Sequence, residues 1–245
     1  MTIIGLDSST KVCSAALVQD GAVIAERINM CGSNHAALLP LYVQELQAEA
    51  AARSLTIDGV ALSEGPGSYT GLRIAASLAK GLCYGLDVPL YAVPTLAVMA
   101  HESIGDQLSA LICPMIDARR MEVYCAVYRV RWNSTASLTE VQALEAKVID
   151  ETSFAKLLDE HVVYFCGNGA EKCKAVIQHP NARWIDGIVP TGAAVGELVS
   201  AVEQHRELDS TESLIRIVEG KDIAYFEPNY LKEFIAAPSH VKGLH

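Results

Sequence analysis

The chain carries 245 residues, 51% of them hydrophobic, and a formal net charge of −10. That length suits one large domain or two small lobes, and the apolar content excludes a disordered chain. The acidity excludes a protein that grips nucleic acid by itself, because such affinity rests on Lys and Arg neutralising phosphates; a tRNA or DNA role would need a basic partner.

The apolar start Ile3-Ile4-Gly5-Leu6 is stopped by Asp7 and lacks a basic leader, so it does not read as a signal peptide. No run approaches the ~18 apolar residues of a membrane helix. Cys13, Cys31, Cys83, Cys113, Cys125, Cys166 and Cys173 show no Cys-x-x-Cys spacing, and several lie in apolar, strand-like context. They read as reduced core residues of a cytoplasmic protein, not as zinc ligands or a disulfide framework. Asn133-Ser134-Thr135 is read as a fortuitous glycosylation sequon.

In chain order, residues 2–7, 12–18 and 22–29 read as strands, with a hairpin turn at Asp20-Gly21. A helix over 35–53, a strand over 57–63, a helix over 70–86, a strand over 88–93 and a helix over 94–103 follow. Pro40 lies inside the first helix and removes a donor, which delays its start or kinks it. The second half repeats the order. Strands at 109–116 and 121–130 flank the turn Asp117-Ala118-Arg119-Arg120, and a third lies near 144–149. Then come a helix from Asp150 as N-cap to about His161, a strand at 162–166, a helix over 168–178, a short strand near 183–185 and a helix over 191–206. The tail from Asp209 onward reads as mostly irregular. Two βββαβα units in succession resemble the plan of the actin, Hsp70 and sugar-kinase (ASKHA) superfamily, an α/β fold of two ribonuclease-H-like lobes. The lobes are expected at 1–106, with the tail included in the second at 107–245.

Leu62-Ser63-Glu64-Gly65-Pro66-Gly67-Ser68-Tyr69-Thr70-Gly71-Leu72-Arg73 forms a glycine-rich turn between an apolar strand and a small-residue helix. Gly65 and Gly67 remove Cβ atoms that would block a tight turn or a ligand close to the backbone. Ser68 or Thr70 can cap the helix, whose free N–H groups and positive dipole end suit a phosphate, a carboxylate or simply a capping hydroxyl. The spacing fits neither a P-loop, which needs a Lys-Ser/Thr pair, nor a dinucleotide fingerprint. Pro66 and Thr70 flank Ser68 where a nucleophile elbow has glycines. In the superfamily the first hairpin holds a phosphate-contacting acid and hydroxyls, and Asp7-Ser8-Ser9-Thr10 stands in that place; the same residues equally make a local Asx or ST turn. The candidate nucleotide or phosphate contacts are Asp7, Ser8, Thr10, Gly65, Gly67, Ser68 and Arg73.

Spaced at 100° intervals, Arg73, Ser77, Lys80 and Tyr84 share one strip of the helix over 70–86. The apolar residues cover roughly 200° of the rest, beyond the ~100° stripe that one sheet face needs. The surplus either buries against the helix over 35–53 or forms a surface for another chain. The candidate interface comprises Leu38, Leu39, Tyr42, Leu46, Leu72, Ala75, Ala79, Leu82 and Leu86.

The start Ile4-Gly5-Leu6-Asp7-Ser8-Ser9-Thr10, Cys13 through Leu17, His35 with Leu38-Leu39-Pro40 and the run Gly65–Ile74 closely resemble the bacterial TsaB (YeaZ) family. Pro94-Thr95-Leu96, Ile116-Asp117-Ala118-Arg119 with Glu122-Val123-Tyr124, and Pro228-Asn229-Tyr230-Leu231-Lys232 continue the resemblance in order, while 131–225 follows it mainly by plan. The resemblance implies a non-catalytic subunit of the machinery that places threonylcarbamoyl on N6 of adenosine 37 in tRNA. It implies direct pairing with the paralogous transferase TsaD through a bundle of the two N-terminal-lobe helices of each subunit. It further implies TsaC as supplier of threonylcarbamoyl-adenylate, TsaE as an ATPase joining the TsaB–TsaD pair, and tRNA contact through the complex; whether the chain alone forms a homodimer through the same helix face stays open. No cofactor is required, although ADP or ATP at the partner junction stays open.

TsaD holds its metal through a His-x-x-x-His helix pair, whereas the helix near Thr95 carries only His101, so no metal site is expected here. Cys166-Gly167-Asn168-Gly169-Ala170-Glu171-Lys172 is either a turn and helix cap or a ligand loop. The turn Asp117–Arg120 is either a polar hairpin or a contact for a partner or nucleotide, and His35 caps or packs at a helix start. The competing functions are an autonomous ATP-dependent kinase or ATPase of the same fold and, disfavoured by the missing second histidine, a metallopeptidase.

Overall fold

A computed structural model of the chain describes residues 1–32, 34–103, 109–133, 135–205 and 214–231. Strands β1 (Thr2–Asp7), β2 (Cys13–Gln19) and β3 (Ala22–Asn29) form an antiparallel meander. Asp20 and Gly21 turn the β2–β3 hairpin with φ of 49° and 83°, the positive pair that a two-residue hairpin loop requires. Helix α1 (His35–Ala52) crosses to β4 (Gly59–Gly65), and α2 (Tyr69–Leu86) crosses to β5 (Leu90–Pro94). β4 lies parallel to β1, and β5 parallel to β4. Pro40 sits inside α1 without delaying its start.

After α3 (Thr95–Glu102) the second half runs β6 (Ser109–Asp117), β7 (Glu122–Asn133), β8 (Thr135–Val148), α4 (Ala155–Glu160), β9 (Val163–Cys166), α5 (Ala170–Cys173), β10 (Ala182–Ile185) and α6 (Gly192–His205). Its sheet order, β10-β9-β6-β7-β8, copies the β5-β4-β1-β2-β3 order of the first sheet. The duplication read from the order of elements is therefore present in the hydrogen-bonded topology, and the chain is a two-lobed, actin-like α/β protein.

Three elements of the second lobe differ from expectation. β8 starts at Thr135, because pairing with β7 continues from Glu122↔Val148 out to Asn133↔Thr135. Asp150 caps no helix; its carboxylate accepts from the Thr152 N–H and from the Thr152 and Ser153 hydroxyls, an Asx/ST turn that uses up residues 150–153. α5 is one turn long. Ser134 of the sequon and Lys232 of the tail lie outside the described residues.

The tail is the largest correction. Arg216–Val218 forms β11, antiparallel to β5 at the edge of the first sheet, and a 3₁₀ turn at Gly220–Tyr225 comes next. Ile223 and Phe226 are buried in the core beneath α1 and α2. An otherwise bare β5 edge is thereby paired. α6 also lies on the first sheet: a Cβ on Gly5 would come within 2.0 Å of the Gly192 carbonyl oxygen, so bare glycine is what lets α6 sit flush on β1. The expected boundary at 106/107 lies outside the described residues; of the stretch assigned to the second lobe, α6 packs between the two sheets and β11 joins the first.

Hydrophobic alternation along the strands builds five layers. Ile4, Leu6, Leu17, Val60 and Leu62 face α1 and α2. Ile3, Val93, Ile112 and Tyr128 enclose α3 and α6 between the two sheets, and Cys113, Val123 and Phe165 face α4 and α5. No described helix is long and apolar enough to cross a membrane.

Six of the seven cysteines are buried and only Cys31 is exposed. Burial pushes the thiols of Cys13 and Cys173 up to about 11 and those of Cys83 and Cys166 up to about 12. A disulfide reagent at pH 8 will therefore titrate one fast thiol in the native protein and none after Cys31→Ser, with all the thiols appearing in denaturant. A second fast native thiol would contradict this packing.

Candidate functional site

The glycine-rich turn folds as its residues suggest. Ser68, with φ −60° and ψ 117°, caps α2, and its hydroxyl accepts from the Gly71 N–H at 3.3 Å. Its own N–H donates to the Ser9 carbonyl at 2.6 Å, and the Ser8 hydroxyl donates to the Gly71 carbonyl at 2.7 Å. The first hairpin and the start of α2 are thus bonded directly to each other. Glycine makes that possible, since a Cβ on Gly67 would meet the Ser9 carbonyl oxygen at 2.3 Å and one on Gly71 the Ser8 carbonyl oxygen at 1.9 Å. From the other side the tail closes on the turn: the Asn229 N–H donates to the Glu64 carbonyl at 2.7 Å, and Arg216 pairs with the Glu64 carboxylate at 2.7 Å.

Asp7 lies beneath this junction with no exposed surface. Its carboxylate accepts from the Ser9 N–H at 3.2 Å and the Ser9 hydroxyl at 2.9 Å. Burial pushes its carboxyl up to about 7 against the lowering influence of the Ser63 and Ser9 hydroxyls. The Ser63 hydroxyl itself, buried beside Asp7, meets no partner in hydrogen-bond geometry.

The seven phosphate candidates therefore do not form one ligand-facing set. Asp7, Ser8 and Gly65 are buried, Gly67 is packed on Ser9, and the Thr10 hydroxyl accepts from the Val12 N–H at 3.2 Å as a local turn. Only Ser68 and Arg73, with Thr70 between them, are exposed.

The interface candidates also divide. Leu39, Leu46, Leu72, Ala75 and Ala79 are fully buried core residues. Helix circumference alone overestimates the free face because the returning tail covers part of α2: Lys80 donates to the Ala224 carbonyl at 3.0 Å, and Ile223 and Phe226 pack beneath. Leu38, Tyr42 and Leu82 are half-buried and Leu86 is exposed. Ile74 and Leu78 extend the Leu82–Leu86 ladder at i, i+4 spacing, and Leu41 of α1 is exposed. A groove of about 620 Å³ runs between the helices, lined by Pro40, Tyr69, Arg73, Ile74 and Leu78 among others. A smaller, polar one of about 330 Å³ lies between α2 and the tail at Arg73, Lys80, Glu227 and Tyr230. Tyr69 and Arg73 form the ridge between them; the Tyr69 and Tyr230 rings are 4.7 Å apart, and Arg73 donates to the Tyr69 hydroxyl at 3.0 Å.

The remaining candidates have structural partners. His35 Nε2 lies 3.2 Å from the Lys11 carbonyl, tying α1 to the first hairpin. His101 has one ring nitrogen 3.9 Å from Glu197 and the other buried without a partner among the described residues; burial pushes it down to about 4, which keeps the imidazole neutral. Among the described residues no group of His, Cys, Asp and Glu is placed to hold a metal ion. Lys172 joins the loop at 166–172 to the turn at Asp117–Arg120, donating to the Asp117 carboxylate, to the Arg120 carbonyl at 2.6 Å and to the Glu122 carbonyl at 2.7 Å. Partial burial opposes ionisation of Asp117, but the Lys172 ammonium and the Arg119 amide prevail and hold its carboxyl below the usual range. Arg119 and Arg120 take φ of 71° and 50°, a region that costs a non-glycine residue roughly 1–2 kcal/mol.

A family model described as TsaD, tRNA N6-adenosine threonylcarbamoyltransferase, matches residues 29–233. The chain is 36% identical to the tRNA threonylcarbamoyladenosine biosynthesis protein TsaB of Bacillus subtilis over 54% of its own length and 56% of that protein's, so this match spans about half of each. To the TsaB protein of Escherichia coli it is 29% identical over 96% of both chains. Among solved structures, YeaZ from Pseudomonas aeruginosa superposes with a TM-score of 0.74 at 26% identity, covering 93% of this chain and 99% of that one.

Proposed function

Because the chain belongs to the TsaD (tRNA N6-adenosine threonylcarbamoyltransferase) family and is similar to its TsaB (YeaZ) members along nearly its whole length, we propose that it acts in tRNA threonylcarbamoyladenosine synthesis as a non-catalytic scaffold that dimerises with TsaD. One observation carries the pairing: the half-exposed apolar ladder Ile74, Leu78, Leu82 and Leu86 of α2 together with Leu38, Leu41 and Tyr42 of α1, and an open groove between the helices. Contiguous apolar surface of this kind marks an interaction site. A homodimer formed through the same face would exclude the heterodimer. TsaE then joins the pair, TsaC supplies the threonylcarbamoyl-adenylate, and tRNA is held by the complex, as the charge of −10 requires.

The non-catalytic reading is supported by the burial of Asp7, which has no exposed surface, next to a first hairpin bonded directly to the start of α2. ADP or ATP at the partner junction would be reached by Ser68, Thr70 and Arg73 at the exposed start of α2, and not by Asp7, Ser8, Gly65 or Gly67.

The reading is tested by tRNA threonylcarbamoylation in a mixture of TsaC, TsaD and TsaE with and without this chain, beside ATP turnover by the chain alone. Modification will depend on the chain, and turnover by the chain alone will be negligible; rapid turnover in isolation would instead favour the autonomous ATPase. Leu78→Glu will weaken TsaD binding at least ~30-fold, the loss of a central interface anchor, while leaving the fold intact by circular dichroism. Unfolding of that variant would place Leu78 in the core and remove the proposed interface.

A further inference from the structure

We propose that the Arg119–Arg120 turn is a grip for the sugar–phosphate backbone of an RNA, adding to the surface that TsaD supplies; the proposal rests on the subunit reading above. Both arginines are exposed, and among the described residues neither guanidinium donates to an acceptor. Both stand at positive φ, where Asn and Gly are at ease and arginine is not. The turn that carries them is braced rather than loose. Lys172 holds the carboxylate of Asp117 and the carbonyls of Arg120 and Glu122, the Asp117 N–H donates to Asn168 Oδ1 at 3.0 Å, and the Arg119 N–H donates to the Asp117 carboxylate at 2.9 Å. Lys172 pairs directly with Asp117, so that carboxylate attracts Arg119 only as a second cation, and among the described residues neither guanidinium is tied up in an ion pair.

The tip sets the shape and chemistry of that partner. A planar guanidinium fork matches phosphate oxygens two at a time. Both arginines are exposed, so a small anion held by them would remain in water, whereas a nucleic-acid backbone is gripped without a pocket. In a chain of net charge −10 such a grip positions an RNA already held by a partner, and does not recruit it.

The test is the double variant Arg119→Asn/Arg120→Gly, whose residues favour the observed backbone and so leave the melting temperature equal or higher. A labelled, unmodified tRNA transcript is titrated by anisotropy over a series of salt concentrations against the TsaD-bound chain. The variant will bind about tenfold more weakly, and the slope of log K against log salt will flatten by about 1–2, one for each phosphate no longer neutralised. An unchanged affinity and slope would overturn the grip, as would a difference that disappears in millimolar ATP, which would mark a nucleotide contact instead. If the wild-type chain fails to co-elute with TsaD, the subunit reading falls and the grip, which rests on it, falls with it.

Discussion

Replacing Gly71 with alanine will destabilise the chain by roughly 3 kcal/mol, an overpacking cost, although alanine is the better helix former by about 1 kcal/mol. The new Cβ would stand 1.9 Å from the Ser8 carbonyl oxygen and 3.0 Å from its carbon, backbone atoms that cannot rotate away. The hydroxyl bond from Ser8 to the Gly71 carbonyl fixes that separation. Gly81 on the same helix is the control, because nothing lies within 4 Å of a Cβ placed there. Gly81→Ala will stabilise by about 1 kcal/mol. In thermal denaturation these become a fall of roughly 6–12 °C and a rise of roughly 2–4 °C for a domain of this size. Shifts in the same direction at both positions would show that helix propensity, and not the junction with the first hairpin, governs this helix.

Asp7→Asn will stabilise the chain at pH 8 by clearly more than it does at pH 5. The carboxyl titrates at 3.8 when unperturbed and at about 7 in the fold. Between those values the folded chain retains a proton that the unfolded chain has lost, so stability falls as pH rises through this window. At 1.36 kcal/mol per unit the cost above pH 7 is roughly 4 kcal/mol. Asparagine has the same shape, its one oxygen still accepts one of the two bonds from Ser9, and it carries no charge to desolvate. Urea denaturation will show the variant more stable by roughly 2–4 kcal/mol at pH 8 and a flatter pH profile from 5 to 8. A variant less stable at pH 8 would mean that Asp7 is ionised and favourably partnered in the folded chain.

The first lobe was legible where sequence signals are local. Strand alternation marked β1 to β3, and Ser68 marked the start of α2 through a side-chain bond three residues long. The glycine turn was legible as a conformation, but its contacts were not, since Ser8, Ser9 and Asn229 reach it from distant points of the chain. β11 is three residues long, carries no period, and pairs with Leu90–Ala92 more than a hundred positions earlier. For that reason the tail looked irregular, and the covered flank of α2 looked free. Asp150-Glu151-Thr152-Ser153 can cap a helix or close an Asx/ST turn with the same atoms, and only tertiary context chose the turn. The bracing of Arg119 and Arg120 had no sequence signal, because Lys172 lies more than fifty residues away.

The closure of the first sheet by α6 and β11 sets an order on biosynthesis. When α3 leaves the ribosome, β5 still has a bare edge and β1 still lacks the helix that packs on Gly5. The missing pieces emerge about 90 (α6) to about 115 (β11) residues later, a delay of roughly 5–25 s at ordinary elongation rates. The second lobe, β6 through β10, can pair its strands during that interval, with its α3- and α6-facing side still uncovered. In this chain the lobe made first is finished last, and its unpaired edge strand is what chaperones would meet in the meantime.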